Sequence, residues 1–445
     1  MAEMTPMMKQ YLEIKKNYQD TILMFRLGDF YEMFFEDAKT ASRELELVLT
    51  GRDCGQEERA PMCGVPFHSV DSYIARLVSR GYKVAICEQT EDPATAKGIV
   101  KRDVIRILTP GTVIESSMLD ESKNNFLCSV WLNGTSAGVC FADVSTGKVS
   151  LTQIDEKKPE NKIVNEIGRY MPTEIRYNSE VARCEKIRDF ISNRVECTAD
   201  EIDSSALTDE ACRKIITDHF GKSLTQLSIE DSDEAVYALA ATIDYLTQVQ
   251  KSGLDNIREI DFYSDSQFMK LDFSSRRNLE LTETMRNRER RGTLLWVLDK
   301  TKTAMGKRLI RSWIEQPLLN IAKISRRHNA VSELCSDSML LAREIENVSD
   351  VSDMERLMAR ILYETANAKE LRSLLATIRL LPDIRNCLAE CKSALLNEIY
   401  EDIDLLEDIA ELIDTAIDEE PPFTVREGGM IRDGFNEELD SLRDI

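Results

Sequence analysis

One stretch constrains this chain more than any other: Gly28-Asp29-Phe30-Tyr31-Glu32-Met33-Phe34-Phe35. It follows an apolar run, Ile22-Leu23-Met24-Phe25-Arg26-Leu27, and precedes a helix-like segment from Glu36 to Leu47. Two apolar runs joined by Gly-Asp read as a β-hairpin with its turn at Gly28-Asp29. Side chains alternate faces along a strand, so Phe30, Glu32 and Phe34 share one face. Phe30 and Glu32 are then roughly 6.6 Å apart, at about 3.3 Å per residue, close to two stacked base steps. An aromatic ring beside one carboxylate suits a reader of duplex DNA. The ring pries between bases while the acid accepts a hydrogen bond from a base edge. Aromatic strands after a Gly-Asp turn are usually core, and spacing alone favours that reading over the wedge.

At 445 residues the chain is long enough for about three domains at ~150 residues each. No run of ~20 apolar residues occurs, which excludes a helical membrane span. The first residues lack the basic-then-apolar order of a secretory signal. Eleven cysteines form no Cys-x-x-Cys pair, and Cys387 and Cys391 lie one helical turn apart. Scattered free thiols predict a reducing, cytoplasmic setting.

A net charge of −22 opposes binding to a polyanion. The charge is uneven, however. Residues 1–115 hold 15 Lys and Arg against 18 Asp and Glu, whereas the other 330 hold 42 against 61. Glu398 to Glu420 alone has eleven acids and no base, the mark of a solvated helix face turned away from DNA. A binder with so little global attraction depends on local contacts and on enclosing the duplex.

Along the first 120 residues, Thr5-Pro6 starts a helix with Thr as N-cap and Pro at the first helical position. Ile74, Leu77 and Val78 give a helical stripe that Gly81 ends as a left-handed cap. Tyr82 to Cys87 and Val104 to Leu108 read as strands, so the segment is a small α/β domain. Several of its segments resemble the MutS family of DNA mismatch-recognition proteins. Gly28-Asp29-Phe30-Tyr31-Glu32, with Phe34 and Asp37-Ala38 after it, looks like the family's Phe-x-Glu mismatch-reading motif. Thr5-Pro6-Met7-Met8, Pro61 to His68, Val84 to Gln89 and Thr109-Pro110-Gly111-Thr112 match in order and spacing. The resemblance implies Phe30 as a wedge and Glu32 as the acceptor for a base. By position, Arg52 and Arg102 match family residues near the DNA backbone, with Lys97 and Lys101 as further candidates. His68 with Cys63 offers too few ligands for a metal site.

Residues 121–250 alternate strands with helices: Asn125 to Leu132, a turn at Asn133-Gly134, Ala137 to Asp143, Lys148 to Ile154, a helix from Lys162 to Tyr170, and Glu174 to Tyr177. Asp143-Val144-Ser145-Thr146-Gly147 resembles the family's RNase H-like connector. That fold raises the alternative of a metal-dependent nuclease at Asp143, yet no partner carboxylates stand out, and a turn-initiating Asp is the better reading. Gly221-Lys222-Ser223 has no glycine five positions earlier, where Ile216 stands, so it is not a phosphate loop. Gly147-Lys148 and Gly306-Lys307 lack the following Ser or Thr.

Beyond residue 250, Asp272 to Leu281, Thr303 to Leu309, Trp313, Pro317-Leu318 and Asp353 to Leu357 resemble the family's helical core. Helical periodicity runs from Ala322 to Ile417, and Leu371, Leu374, Leu375, Ile378 and Leu381 predict core packing between helices. Arg276-Arg277 and Lys307-Arg308 could pair with the acidic helices or face DNA, and pairing is the better reading. Glu427 to Gly434 looks like the approach to the family's clamp, and the helix near Asn436 has little length before Ile445.

The expected fold is multidomain: an α/β mismatch-binding domain over residues 1–118, an RNase H-like α/β connector over 119–250, an all-α core and lever over 251–426, and the start of a clamp over 427–445. The resemblance implies recognition of mismatched double-stranded DNA, a MutL-type repair partner met through the connector, and a homodimer when full length. With no Walker A motif, this chain is expected to be no enzyme and to carry no cofactor. ATP and Mg belong to an ATPase domain of the full-length family, expected past residue 445. A relative acting in recombination is disfavoured because such relatives generally lack the Phe-x-Glu pair.

Overall fold

Gly28 adopts a left-handed backbone, φ +58°, and turns strand β1 (Ile22–Leu27) back onto β2 (Phe30–Phe34) with Leu27 opposite Phe30. The predicted hairpin is therefore present, closed by the two residues Gly28-Asp29. It lies at the middle of a six-stranded sheet in a computed structural model that describes residues 4–91, 98–251 and 253–444. The other strands are β3 (Thr50–Arg52), β4 (Ala60–Pro66), β5 (Val84–Gln89) and β6 (Arg102–Leu108), in the order β3-β4-β2-β1-β5-β6. Only β1 and β5 run parallel; their crossover contains helices α2 (Phe35–Leu45) and α3 (Val70–Ser79). Helix α3 ends as expected, at a left-handed Gly81 with φ +86°. Helix α1 (Pro6–Lys16) packs Met8 and Tyr11 onto Leu23, Phe25 and Phe34. Asp37 at the start of α2 ties these parts together, accepting from Tyr11 Oη at 3.1 Å, Leu23 N at 3.0 Å and Lys15 Nζ at 2.9 Å.

A second six-stranded sheet follows: β7 (Leu127–Asn133), β8 (Ser136–Asp143), β9 (Lys148–Asp155), β10 (Glu174–Tyr177), β11 (Thr198–Glu201) and β12 (Asp261–Phe262). Its order is β11-β10-β7-β8-β9-β12, with β7, β8 and β9 antiparallel and the remaining pairs parallel. The long helix Asp233–Gln250 packs against β7 and β8 so closely that a Cβ on Gly138 would meet Glu234 O at 1.9 Å. The helix Pro159–Tyr170 adds Ile163 and Ile167 to a core with Val130, Val139, Phe141 and Ile175.

Both sheets belong to one compact unit, Met1–Val113 with Asn125–Phe262. The turn from Thr109 to Thr112 joins them. Glu174, fully buried, accepts from Gly111 N at 3.0 Å and from the hydroxyl of Thr109. A side chain at Gly111 would put its Cβ 2.8 Å from Glu174 Cβ, so only glycine lets the turn approach β10.

The other unit, Ile114–Asn124 with Tyr263–Ile445, is helical. The long periodic stretch is not one element: between Ile321 and Ala416 it divides into seven helices. Leu374, Leu375 and Ile378 are buried with Leu357, Ile413 and Ile417, and Leu371 and Leu381 pack against them, as the stripe predicts. Arg308 is nearly buried and forks onto Asp353 through two bonds of 2.7 Å, with Glu355 a further 2.7 Å partner. These acids hold its guanidinium above the usual value against the opposing effect of burial. Among the described residues no helix is long and apolar enough to cross a membrane.

Candidate nucleic-acid interface

The face of β2 that carries Phe34, Glu32 and Phe30 emerges from beneath α1. Phe34 is fully buried, edge-on to Tyr11 with ring centroids 4.9 Å apart. Glu32, two residues on, is opposite Phe25 on one side and Gly64 on the other. Phe30, at the end of the row, is 48% exposed. Among the described residues no ring pair or cation–π contact involves Phe30. The row thus passes from core to surface in five residues, with Tyr11 of α1 packed on Phe34 at the buried end.

The opposite side of the turn is closed. Tyr31 is 3% exposed and donates its hydroxyl to Glu88. Burial and the Glu88 carboxylate push the Tyr31 phenol well above its ordinary pKa. Arg26 donates to Gly28 O at 2.5 Å, lies 3.5 Å from Glu88, and stands over the Phe67 ring at 3.5 Å from its centroid. Phe67 N in turn donates to Asp29 O at 2.8 Å. A guanidinium stacked on a ring contributes about 1–2 kcal/mol when desolvated, so the turn that presents Phe30 is braced from behind. Arg26 was not singled out from sequence, although a lone charge within the apolar run 22–27 was a signal.

Glu32 is ion-paired with Arg52, whose strand β3 lies at the edge of the sheet beyond β4. The glutamate side chain is 15% exposed and the arginine 36%. The bond runs from Arg52 Nη1 to Glu32 Oε2, and among the described residues Glu32 Oε1 accepts no hydrogen bond. A Cβ on Gly64 would come within 3.3 Å of Glu32 Cγ, so glycine on β4 makes room for the carboxylate.

The remaining sequence candidates fall differently. Arg102 is not the surface cation that was expected. It is 9% exposed, and Nε donates to Arg26 O at 2.7 Å while Nη1 donates to Gln10 Oε1 at 3.0 Å and Val100 O at 2.9 Å. Burial lowers its guanidinium from the usual value, and it stands 5.0 Å from the Phe25 ring centroid. The reason is the phase of β6: Arg102 and Val104 point inward while Asp103 and Ile105 face solvent. Lys101 is exposed, with its backbone N–H donating to Glu91 at 2.7 Å. Lys97 lies outside the described residues. Cys63 is buried and His68 exposed, and no group of three His, Cys, Asp or Glu side chains fit to hold a metal occurs among the described residues.

Asp143 is fully buried. Its carboxylate accepts from Ser145 N at 2.9 Å, Ser145 Oγ at 2.7 Å and Asn125 N at 3.2 Å. This is the turn-initiating role anticipated for it. Gly221 is a left-handed helix cap, φ +62°, whose N–H donates to Thr217 O.

Three family models match consecutive stretches of the chain: MutS domain I over residues 5–117, MutS domain II over 125–258 and MutS domain III over 274–444. Curated relatives agree. The DNA mismatch repair protein MutS of Ruminiclostridium cellulolyticum is 49% identical over 443 residues, which is 100% of this chain and 50% of that protein. Those of Acetivibrio thermocellus and Lachnoclostridium phytofermentans are 48% and 47% identical over 445 residues, covering 51% and 47% of their lengths. The chain spans about half the length of the curated relatives it matches. With the hairpin, its braced turn and the matched domains in hand, the chain belongs to the MutS family.

Proposed function

We propose that this chain recognises mismatched or unpaired bases in duplex DNA and so initiates mismatch repair, with Phe30 as the inserted wedge and Glu32 as the acceptor for a base. The observation that carries the reading is the half-exposed Phe30 ring, at the end of a strand face otherwise sealed and on a turn braced from behind. Unstacking a base step costs a few kcal/mol, and less where pairing is already faulty. A ring of fixed affinity therefore lodges preferentially at errors, and the duplex is read through its deformability. Rigidity matters here. A turn already held in place loses little freedom when its ring inserts, so more of the stacking energy reaches the complex.

Lys101 is the exposed cation assigned to the backbone. The buried Arg102 instead holds Gln10 of α1 to the segment around Val100 and to β1. The second sheet carries the relay to a MutL-type partner. Its three antiparallel strands followed by two parallel ones favour an RNase H-like connector. The homodimer, ATP and Mg are assigned to the whole protein, and no residue of this chain is assigned to nucleotide.

The test is competition between a duplex with one mismatched or unpaired base and a matched duplex of equal length, using the full-length protein. Phe30→Ala should bring the two affinities close together. An undiminished preference in that variant would remove the wedge.

A further inference from the structure

We infer that Arg52 is a positioning residue for Glu32, holding one carboxylate oxygen so that the other is presented as the acceptor for a base edge. This rests on the reading of Glu32 above and goes beyond a backbone contact for Arg52. Arg52 is opposite Ala60 on β4, and Glu32 is opposite Gly64 on the same strand. Positions four apart on a strand share a face, so both side chains lie over one surface of β4. Gly64 leaves that surface open beside Glu32, and the ion pair closes across it.

The pair divides the carboxylate's work. A glutamate has two free torsions beyond Cβ, and fixing them on binding costs rotamer freedom. Arg52 fixes them beforehand. Oε2 takes the guanidinium and Oε1 is left without a protein donor among the described residues. The guanidinium also offsets the acid's charge where the strand meets a polyanion. A backbone cation would act alike on every duplex. A residue that orients Glu32 acts only where Glu32 finds a donor, and its loss must appear in discrimination.

The experiment measures two quantities in the full-length protein: the ratio of affinities for a mismatched and a matched duplex, and the slope of log affinity against log salt. Arg52→Gln should lower the ratio about fivefold, the size of one oriented hydrogen bond. Arg52→Lys, which keeps the charge without the planar fork, should restore only part of the ratio, and neither variant should change the salt slope. In a Glu32→Ala background Arg52→Gln should leave the ratio where it was. Equal weakening on both duplexes, with the salt slope reduced by about one, would make Arg52 a phosphate contact and overturn the inference. If Glu32→Ala alone leaves the ratio unchanged, the acceptor reading of Glu32 fails first, and the inference with it.

Discussion

The two sheets of the first unit each carry a carboxylate at a strand position that invites chemistry, and they treat it in opposite ways. Asp143 ends β8 fully buried, with three recorded donors from Ser145 and Asn125 on its oxygens. Glu32 lies in the middle of β2 at the margin of a helix-covered face, with one oxygen held by Arg52 and the other open. The second sheet is covered where its strands are central. β8 has no exposed residue from Ser136 to Asp143, and a helix approaches closely enough to demand Gly138. The face of the first sheet that carries Glu32 is buried at Phe34, where Tyr11 of α1 packs, and open at Phe30. A carboxylate saturated by its own turn has nothing left for a ligand, whereas a half-satisfied one at an uncovered margin does. The contrast separates a fold-holding acid from a site without reference to motif.

The comparison breaks most visibly at Gly138. A methyl group there collides with the backbone of Glu234, so Gly138→Ala should destabilise the unit by about 3 kcal/mol, read as a lower urea midpoint. If the midpoint holds, the second sheet is not the tightly covered layer described. A smaller effect is expected at Asp143. Removing the carboxylate strands the N–H groups of Ser145 and Asn125 and should cost about 2 kcal/mol. Asp143→Ala measured by the same denaturation should show that loss; an unchanged midpoint would mean the acid is not structural and would reopen the nuclease reading.

Local pattern carried much of this fold. Gly28-Asp29 announced its hairpin, and Gly81 ended α3, because both signals act through a single residue's backbone freedom. What escaped depends on register between distant strands. Thr50–Arg52 is three residues long with a glycine in the middle, too short to show alternation. Its pairing with β4 alone brings Arg52 to Glu32. Arg102 was legible in part: it alternates with Asp103 and shares a phase with Val104, which marks an inward position. Its partners were not legible, since Gln10 and Arg26 come from elements far away in sequence. The close approach of Thr109–Thr112 to Glu174 was equally hidden, although the Pro-Gly pair marks a turn.

The smallest expected change in stability sharpens the comparison most. Phe30 is the largest side chain of its strand face left half in solvent, and the turn beneath it is held by Arg26, Phe67 and Tyr31 rather than by its own ring. Phe30→Ala should therefore alter the unfolding free energy by no more than about 0.5 kcal/mol, the range of ordinary surface substitutions. The neighbouring Phe34, packed edge-on to Tyr11 in the core, should cost about 3–5 kcal/mol when cut to alanine. Both rings occupy the same face of the same strand, at its two ends. The difference in their denaturation midpoints reads how much more the fold depends on the buried ring than on the half-exposed one. Should Phe30→Ala destabilise the chain nearly as much as Phe34→Ala, the Phe30 ring would be holding the domain together, and a residue so engaged could not leave its own fold to enter a base stack.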